Sequence, residues 1–235
     1  MVVKHEYFVG YQYIDTDYKI KNSALLSMFE DLACMHGSRV GEDIRTAPTV
    51  WLLSAYKVKI IRRPEYGEYI TACTWSRGMR GVLAQREFEI RSAAGELLVC
   101  ALSEWVHVFK AGGPARVTAE LEAAYESEPE RTNFPGERLR PPRECTEYDS
   151  EMQFTVGRIF IDVNDHMNNV HYAEISELIL PDVSTASYNF EIYYRKEIKC
   201  GETVVLRHSS DENTHTVTVK SADGAILHSI IKYTK

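Results

Sequence analysis

The chain contains itself twice, and no other feature of the sequence limits its possible folds as strongly. The run Ile14-Asp15-Thr16-Asp17-Tyr18-Lys19-Ile20-Lys21-Asn22 returns as Ile161-Asp162-Val163-Asn164-Asp165-His166-Met167-Asn168-Asn169. From Asp15 to Asp162 is 147 positions, and the same spacing carries Glu30 onto Glu177. A self-similar chain is one supersecondary unit built twice. After Asn22 the apolar residues Leu25, Met28, Phe29 and Leu32 recur at helical spacing, with Gly37 or Gly41 as the stop. After Asn169 come Tyr172, Ile175, Leu178 and Ile179, stopped by Pro181. The asparagine at each helix start is expected to be its N-cap.

The segments beyond the two helices also repeat. Residues 54–60 and 188–194 alternate like strands, and each leads through a turn at Gly67 or Gly201 into a second strand. Two further strands meet at the glycine turns 93–95 and 222–224. The unit is therefore α+β: strand, loop, long helix, then about four antiparallel strands that wrap the helix, a sound two-layer solution. Residues 111–150 hold five of the eight prolines and one acidic helical stretch, Thr118 to Tyr125, which reads as linker composition. The expected organisation is 1–112, linker 113–148, and 149–235.

Charge and cysteine usage exclude several function classes. With 27 Lys and Arg against 34 Asp and Glu, the formal charge is −7. A dominant positive field for non-specific nucleic-acid binding is absent, and so is any helix-turn-helix pattern. Arg62, Arg63, Arg77, Arg80 and Arg86 lie close in sequence and read as a solvated face. The five cysteines show no CxxC pair, and the eight histidines no HExxH pattern, so no metal, no other cofactor and no disulfide framework is expected. No apolar run approaches the roughly 18 residues of a membrane span, and the first ten residues lack the zones of a signal peptide. A cytoplasmic protein, monomer or homodimer, is expected.

The informative positions are those where the copies differ. The second copy has Asn164, His166 and Glu197 where the first has Asp17, Lys19 and Arg63; Asp162 answers to Asp15. An imidazole, a carboxamide and two carboxylates can activate water and stabilise an oxyanion. A protonated lysine cannot replace the imidazole as a base near neutral pH. The Asp-x-Asn-x-His run immediately precedes a helix, where the backbone N–H groups of Asn168, Asn169 and Val170 are expected to point outward and hold a carbonyl oxygen. The bland alternative is a polar turn that only caps the helix. Simple alternation puts Glu197 on the face of Glu191, Tyr193 and Arg195, so it reaches the site only if the strand end bends or bulges.

The run from Asp162 to Tyr172, with Asn164, His166, Asn168, Asn169 and Val170 in place, resembles the signature of the acyl-acyl carrier protein thioesterases. Tyr194-Arg195-Lys196-Glu197 resembles that family's second motif, while Trp51-Leu52-Leu53-Ser54 and Trp105-Val106-His107-Val108 are supporting features. The resemblance covers most of the chain. It implies a tandem double hot-dog fold and release of a fatty acid from acyl carrier protein by water attack, with Asp162, Asn164, His166 and Glu197 as the catalytic set. The cysteine that comes after the glutamate in the family is Ile198 here, and Cys200 sits two positions on, so a thiol nucleophile is not expected. The first copy is expected to house the acyl chain against Leu25, Met28, Phe29, Trp51 and Ala55. Two alternatives stay open: an acyl-CoA thioesterase of the same fold, and a non-catalytic acyl-binding protein.

Overall fold

The computed structural model describes residues 1–181 and 189–235, in two compact units, Met1–Leu139 and Arg140–Lys235. The first unit holds β1 (Val2–Phe8), α1 (Asn22–Arg39), β2 (Thr49–Ile60), β3 (Tyr69–Arg80), β4 (Leu83–Ser92), β5 (Leu97–Phe109) and α2 (Ala119–Tyr125). The second holds β6 (Ser150–Thr155), α3 (Val170–Glu177), β7 (Asn189–Tyr194), β8 (Thr203–Ser210), β9 (Thr214–Ser221) and β10 (Leu227–Thr234). Tyr188, where the sequence begins the β7 strand, lies outside the described residues.

All strand pairs within each unit are antiparallel among the described residues. The first unit orders its strands β1-β3-β4-β5-β2, and the second β6-β8-β9-β10-β7. These are the same order once each strand is matched to its repeat, so the duplication seen in the sequence is a duplication of topology. The match extends to single hydrogen bonds. Val9 N–H donates to the Glu68 carbonyl and Gly67 N–H to the Val9 carbonyl, at 2.8 and 3.0 Å. Val156, Glu202 and Gly201 repeat this pair at 2.9 and 2.8 Å. From Gly67 to Gly201 is 134 positions, against 147 before the helix, so the first copy spends 13 more residues between helix start and second strand.

Helix accounts for much of that difference among the described residues. α1 has 18 residues and runs straight through Gly37; α3 has eight and ends before Pro181. Among the described residues the helix of the second unit is thus the shorter of the two. In α1, Leu25, Met28, Phe29 and Leu32 are buried along one stripe, and Phe29 packs on Phe88 and Tyr56 with ring centroids 4.7 and 6.2 Å apart. Asn169 takes the N-cap position of α3 as expected, but neither asparagine side chain makes the capping hydrogen bond. Asn22 is the first helical residue, and its side chain accepts from Arg63 at 2.6 Å. At α3 it is Asn168 whose Oδ1 accepts from Val170 N–H, at 2.8 Å, while the Asn169 side chain caps nothing.

The stretch with linker composition is bound tightly as far as Leu139. Trp75 Nε1 donates to the Arg131 carbonyl at 2.9 Å, and the Arg131 guanidinium stacks 4.1 Å over the Trp75 ring. The buried Glu87 carboxylate accepts from Asn133 N–H at 2.7 Å and from the Thr132 hydroxyl. Prolines interrupt helix and ladder here, but hydrogen bonds to buried carboxylates replace them. No helix among the described residues is long and apolar enough to cross a membrane.

Candidate active site

The two repeated loops share one backbone. In the first, Asp15 N–H donates to the Lys19 carbonyl at 2.8 Å, Tyr18 N–H returns to the Asp15 carbonyl at 3.2 Å, and Ile14 bridges Ile20. In the second, Asp162 and His166 form the matching bond at 3.0 Å, Asp165 and Asp162 the return bond at 3.2 Å, and Ile161 bridges Met167. Tyr18 and Asp165 occupy the same left-handed position, with φ of 60° and 62°. The aspartate side chain folds the loop in each case: Asp15 Oδ1 accepts from Asp17 N–H at 2.9 Å, and Asp162 Oδ1 from Asn164 N–H at 2.8 Å.

On this common frame the side chains diverge. Asn164 Nδ2 lies 3.4 Å from Asp162 Oδ2, and His166 Nδ1 lies 3.9 Å from Asp162 Oδ1 and 3.3 Å from the Met167 carbonyl. A carbonyl and a carboxylate both accept, so this surrounding favours a proton on Nδ1 and leaves the Nε2 lone pair outward. Nε2 has no hydrogen-bond partner among the described residues.

Glu197 comes to this loop from the end of β7. Met167 N–H donates to the Ile198 carbonyl at 2.8 Å, which ties the segment carrying Glu197 against the His166 loop. The alternation argument fails here because the chain bulges. Arg195 N–H and Lys196 N–H both donate to the one His228 carbonyl, at 2.8 and 3.3 Å, so two residues stand where the ladder has one. His228 also holds the segment through its ring, Nδ1 lying 3.0 Å from the Lys196 carbonyl. Glu197 remains 39% exposed and pairs with Lys196 Nζ at 2.6 Å. That hydrogen bond holds its carboxyl below the ordinary range, with a smaller contribution from the His166 charge.

Of the three N–H groups expected to face a carbonyl, two are engaged. Asn168 N–H donates to the Phe160 carbonyl at 2.9 Å, just as Lys21 does to Tyr13 at 2.8 Å, and Val170 N–H is taken by the Asn168 side chain. The correction is physical: the repeat needs the first bond to close its loop, and the helix needs the second as its cap. The Asn169 N–H donates to no atom among the described residues. Two tyrosines that belong to the two motifs, but to which the sequence assigned no role in the site, frame this peptide. Tyr194 donates to the Asn169 carbonyl at 3.0 Å, and Tyr172 packs edge-on against Tyr194, its hydroxyl 3.4 Å from the Lys196 carbonyl. Burial raises the Tyr172 phenol far above its ordinary range, and the Glu197 charge adds to that. Their aromatic spacing in the sequence signals packing only; their polar contacts depend on the bulge.

The first copy fills the corresponding place. Arg63, aligned with Glu197, is 4% exposed, and its guanidinium donates to the Ile20 carbonyl at 2.7 Å as well as to Asn22. Ile20 and Asn22 are the counterparts of Met167 and Asn169. Arginine plugs the loop that glutamate borders in the second copy.

The first unit also contains a cavity of about 110 Å³, walled by Ala33, Cys34 and Gly37 of α1 and by Trp51, Ala84 and Trp105 among others. Of the residues expected to line an acyl pocket, Trp51 borders this cavity. Leu25, Met28 and Phe29, in the first half of α1, and Ala55, in mid-β2, sit instead in the core, at most 3% exposed.

Two α+β units of one topology, one carrying an Asp-Asn-His loop beside a glutamate, define a double hot-dog of the thioesterase class. Residues 1–125 match the acyl-ACP thioesterase N-terminal domain and residues 143–233 the C-terminal domain, so the chain belongs to the acyl-ACP thioesterase family. It is a hydrolase of the thioester that joins a fatty acyl chain to acyl carrier protein. An acyl-ACP thioesterase from Bacteroides thetaiotaomicron has the same fold, with a TM-score of 0.88 at 19% identity over 99% of this chain and 97% of that one. The 12:0-ACP thioesterase from Umbellularia californica gives a TM-score of 0.84 at 17% identity, over 99% and 96%. No curated protein matches the chain in sequence.

Proposed function

We propose that the second unit performs the hydrolysis with His166 as general base and that the first unit houses the acyl chain. What carries this reading is the contrast between two loops of one backbone: only the second has an imidazole with an unpartnered Nε2 beside a carboxylate. Water attacks the thioester carbonyl and gives its proton to Nε2, while Asp162 keeps Nδ1–H oriented. The oxygen that becomes negative is held by the Asn169 N–H and the Asn164 carboxamide. The intermediate collapses to the free fatty acid, and the pantetheine thiolate leaves with the proton from the imidazolium. Glu197, drawn down by Lys196, is the poorer base and steadies the positive ring instead.

The reading is tested with His166→Ala on an acyl-acyl carrier protein substrate. Loss of a general base costs at least ~2–4 kcal/mol of transition-state stabilisation, so turnover should fall by about 30-fold or more. Turnover within a factor of three of wild type would remove His166 from the mechanism.

A further inference from the structure

The first-unit cavity has a wall that a hydrocarbon chain does not explain. Arg86 lies on β4 between Ala84 and Phe88, on the side facing α1, and is only 7% exposed. Arginine is almost never this buried unless paired with an anion. Here Nη1 donates to His36 Nδ1 at 2.9 Å and to Thr74 Oγ1 at 3.1 Å, both neutral acceptors, and no carboxylate lies within ion-pair distance among the described residues. Arginine has no acceptor lone pair, so the His36 ring must be neutral, with its proton on Nε2. Nε and Nη2 of Arg86 have no hydrogen-bond acceptor among the described residues; the guanidinium carbon lies 5.7 Å from the centre of the Tyr125 ring, a face that offers no lone pair, and the side chain lines the cavity. The nearest acid in that wall, Glu42, is already bound by Trp51 Nε1 at 2.8 Å and the Tyr125 hydroxyl at 2.5 Å. The remaining lining is mostly apolar: Ile44, Val50, Trp51, Met79, Ala84 and Trp105.

An all-carbon tail entering this space would exclude water from three guanidinium N–H groups and offer them nothing. Unmade hydrogen bonds of buried donors are what let polar sites reject analogues that lack the matching oxygen. We propose that this cavity takes an acyl chain bearing a hydroxyl or oxo oxygen, which accepts from Arg86, and that Arg86 determines this specificity. The proposal rests on the reading that the first unit houses the chain. A neutral oxygen suits the wall better than a carboxylate, because Glu42 already places a negative charge there.

Trp51 and Trp105 line the cavity, so their fluorescence reports its occupant directly. The probes are acyl-pantetheine analogues with the thioester sulfur replaced by NH, which are neutral and resist hydrolysis. One series carries plain chains, and another carries a hydroxyl or oxo group at successive positions. For wild type, at least one oxygenated chain should bind about tenfold or more tightly than the plain chain of equal length. Arg86→Met should abolish that preference and tighten binding of the plain chain. If that variant fails to fold, the wild-type ranking decides by itself. Plain chains that bind as well as every oxygenated one overturn the proposal while leaving the chain-housing reading intact. If no probe of either series changes the emission, the chain-housing reading fails and the proposal with it. A plain free fatty acid that binds more tightly than every oxygenated amide, through Arg86, makes this a carboxylate site and also overturns it.

Discussion

At the scale of single residues, the Asp162–His166 loop is legible in sequence because everything that shapes it is local. Asp162 accepts from Asn164 N–H two positions away and has the His166 ring 3.9 Å off four positions away; Asp15 likewise accepts from Asp17 N–H, and from Lys19 N–H four positions on. Glu197 was legible in type but not in place, since its position depends on a bulge held by the carbonyl of His228, a strand away. The arginines were the least legible. A cluster that reads as a solvated face contains two buried members, Arg63 and Arg86, because β-strand alternation says which residues share a face and not whether that face is wet. The asymmetry between copies gives paired expectations. Lys19→Ala, at the position of His166 in the first loop, should leave kcat within about twofold. Glu197→Gln should lower kcat by roughly tenfold, less than His166→Ala, if the glutamate steadies the imidazolium rather than accepting the water proton. Equal losses at the two positions would favour Glu197 as the base. Cys200 is exposed in the turn, and Cys200→Ser should leave turnover unchanged. A large loss would revive a thiol nucleophile.

At the scale of elements, the two copies part company in their helices. Glu30 answers to Glu177, the last residue of α3, so α1 beyond Glu30 has no helical counterpart among the described residues. Ala33, Cys34, His36 and Gly37 all belong to that extension, and three of them wall the cavity. The resemblance led to the Leu25–Leu32 stripe as pocket, but a regular apolar stripe is what packs against a sheet; the cavity begins where small and polar residues break the stripe. Ala33→Phe should therefore shift chain-length preference towards shorter acyl groups. Each methylene excluded removes about 0.8 kcal/mol of burial, which a product profile across chain lengths will resolve. An unchanged profile would separate this cavity from the chain. The extension also carries a titration. Burial and then the Arg86 charge push His36 down to about 3, with Arg39 and the amino terminus adding to this, and Tyr125 of α2 packs on the ring. Because the folded value lies below the ordinary 6.5, the unfolded chain binds the proton first. The contribution of neutral His36 to stability is complete above about pH 6.5 and is lost as pH falls from there towards 3. His36→Asn keeps an acceptor for Arg86 and does not titrate. Thermal denaturation from pH 7 to 5 should show the wild type losing stability faster than the variant; parallel curves would mean that the ring is solvated.

At the scale of the whole molecule, the duplication fixed the architecture, while composition misjudged residues 126–139. Proline-rich, polar segments read as linker, yet this one is strapped to the first unit through Glu87, Glu89 and Trp75, partners 40 to 60 positions away that no local window contains. Net charge raises a further question at this scale. Acyl carrier proteins are acidic, and this chain carries −7, so the two repel at a distance. Productive docking then needs a local positive surface, because steering responds to the charges near the contact rather than to the total. Two basic groups sit at matching strand ends, Arg62 and Arg63 in the first copy and Arg195, Lys196 and Lys199 in the second, and the structure chooses between them. In the first copy Arg62 is neutralised by Glu68 at 2.6 Å and Arg63 is buried, which leaves little positive field. In the second, Arg195, Lys196 and Lys199 are exposed around Glu197, and Lys196 is already paired with it. Arg195 and Lys199 are thus the residues to reverse. Arg195→Glu with Lys199→Glu should raise KM for the acyl carrier protein substrate several-fold and leave hydrolysis of an acyl-pantetheine unchanged, since the smaller substrate has no acidic surface to lose contact with. Added salt should weaken the protein substrate first as well, because screening limits surface charges to a reach of about 8 Å at physiological ionic strength. If both substrates respond alike to the double reversal, these residues act on the site and not on the carrier. If neither responds, and acyl-CoA is turned over as fast as the carrier-bound chain, the carrier protein is not what this surface selects.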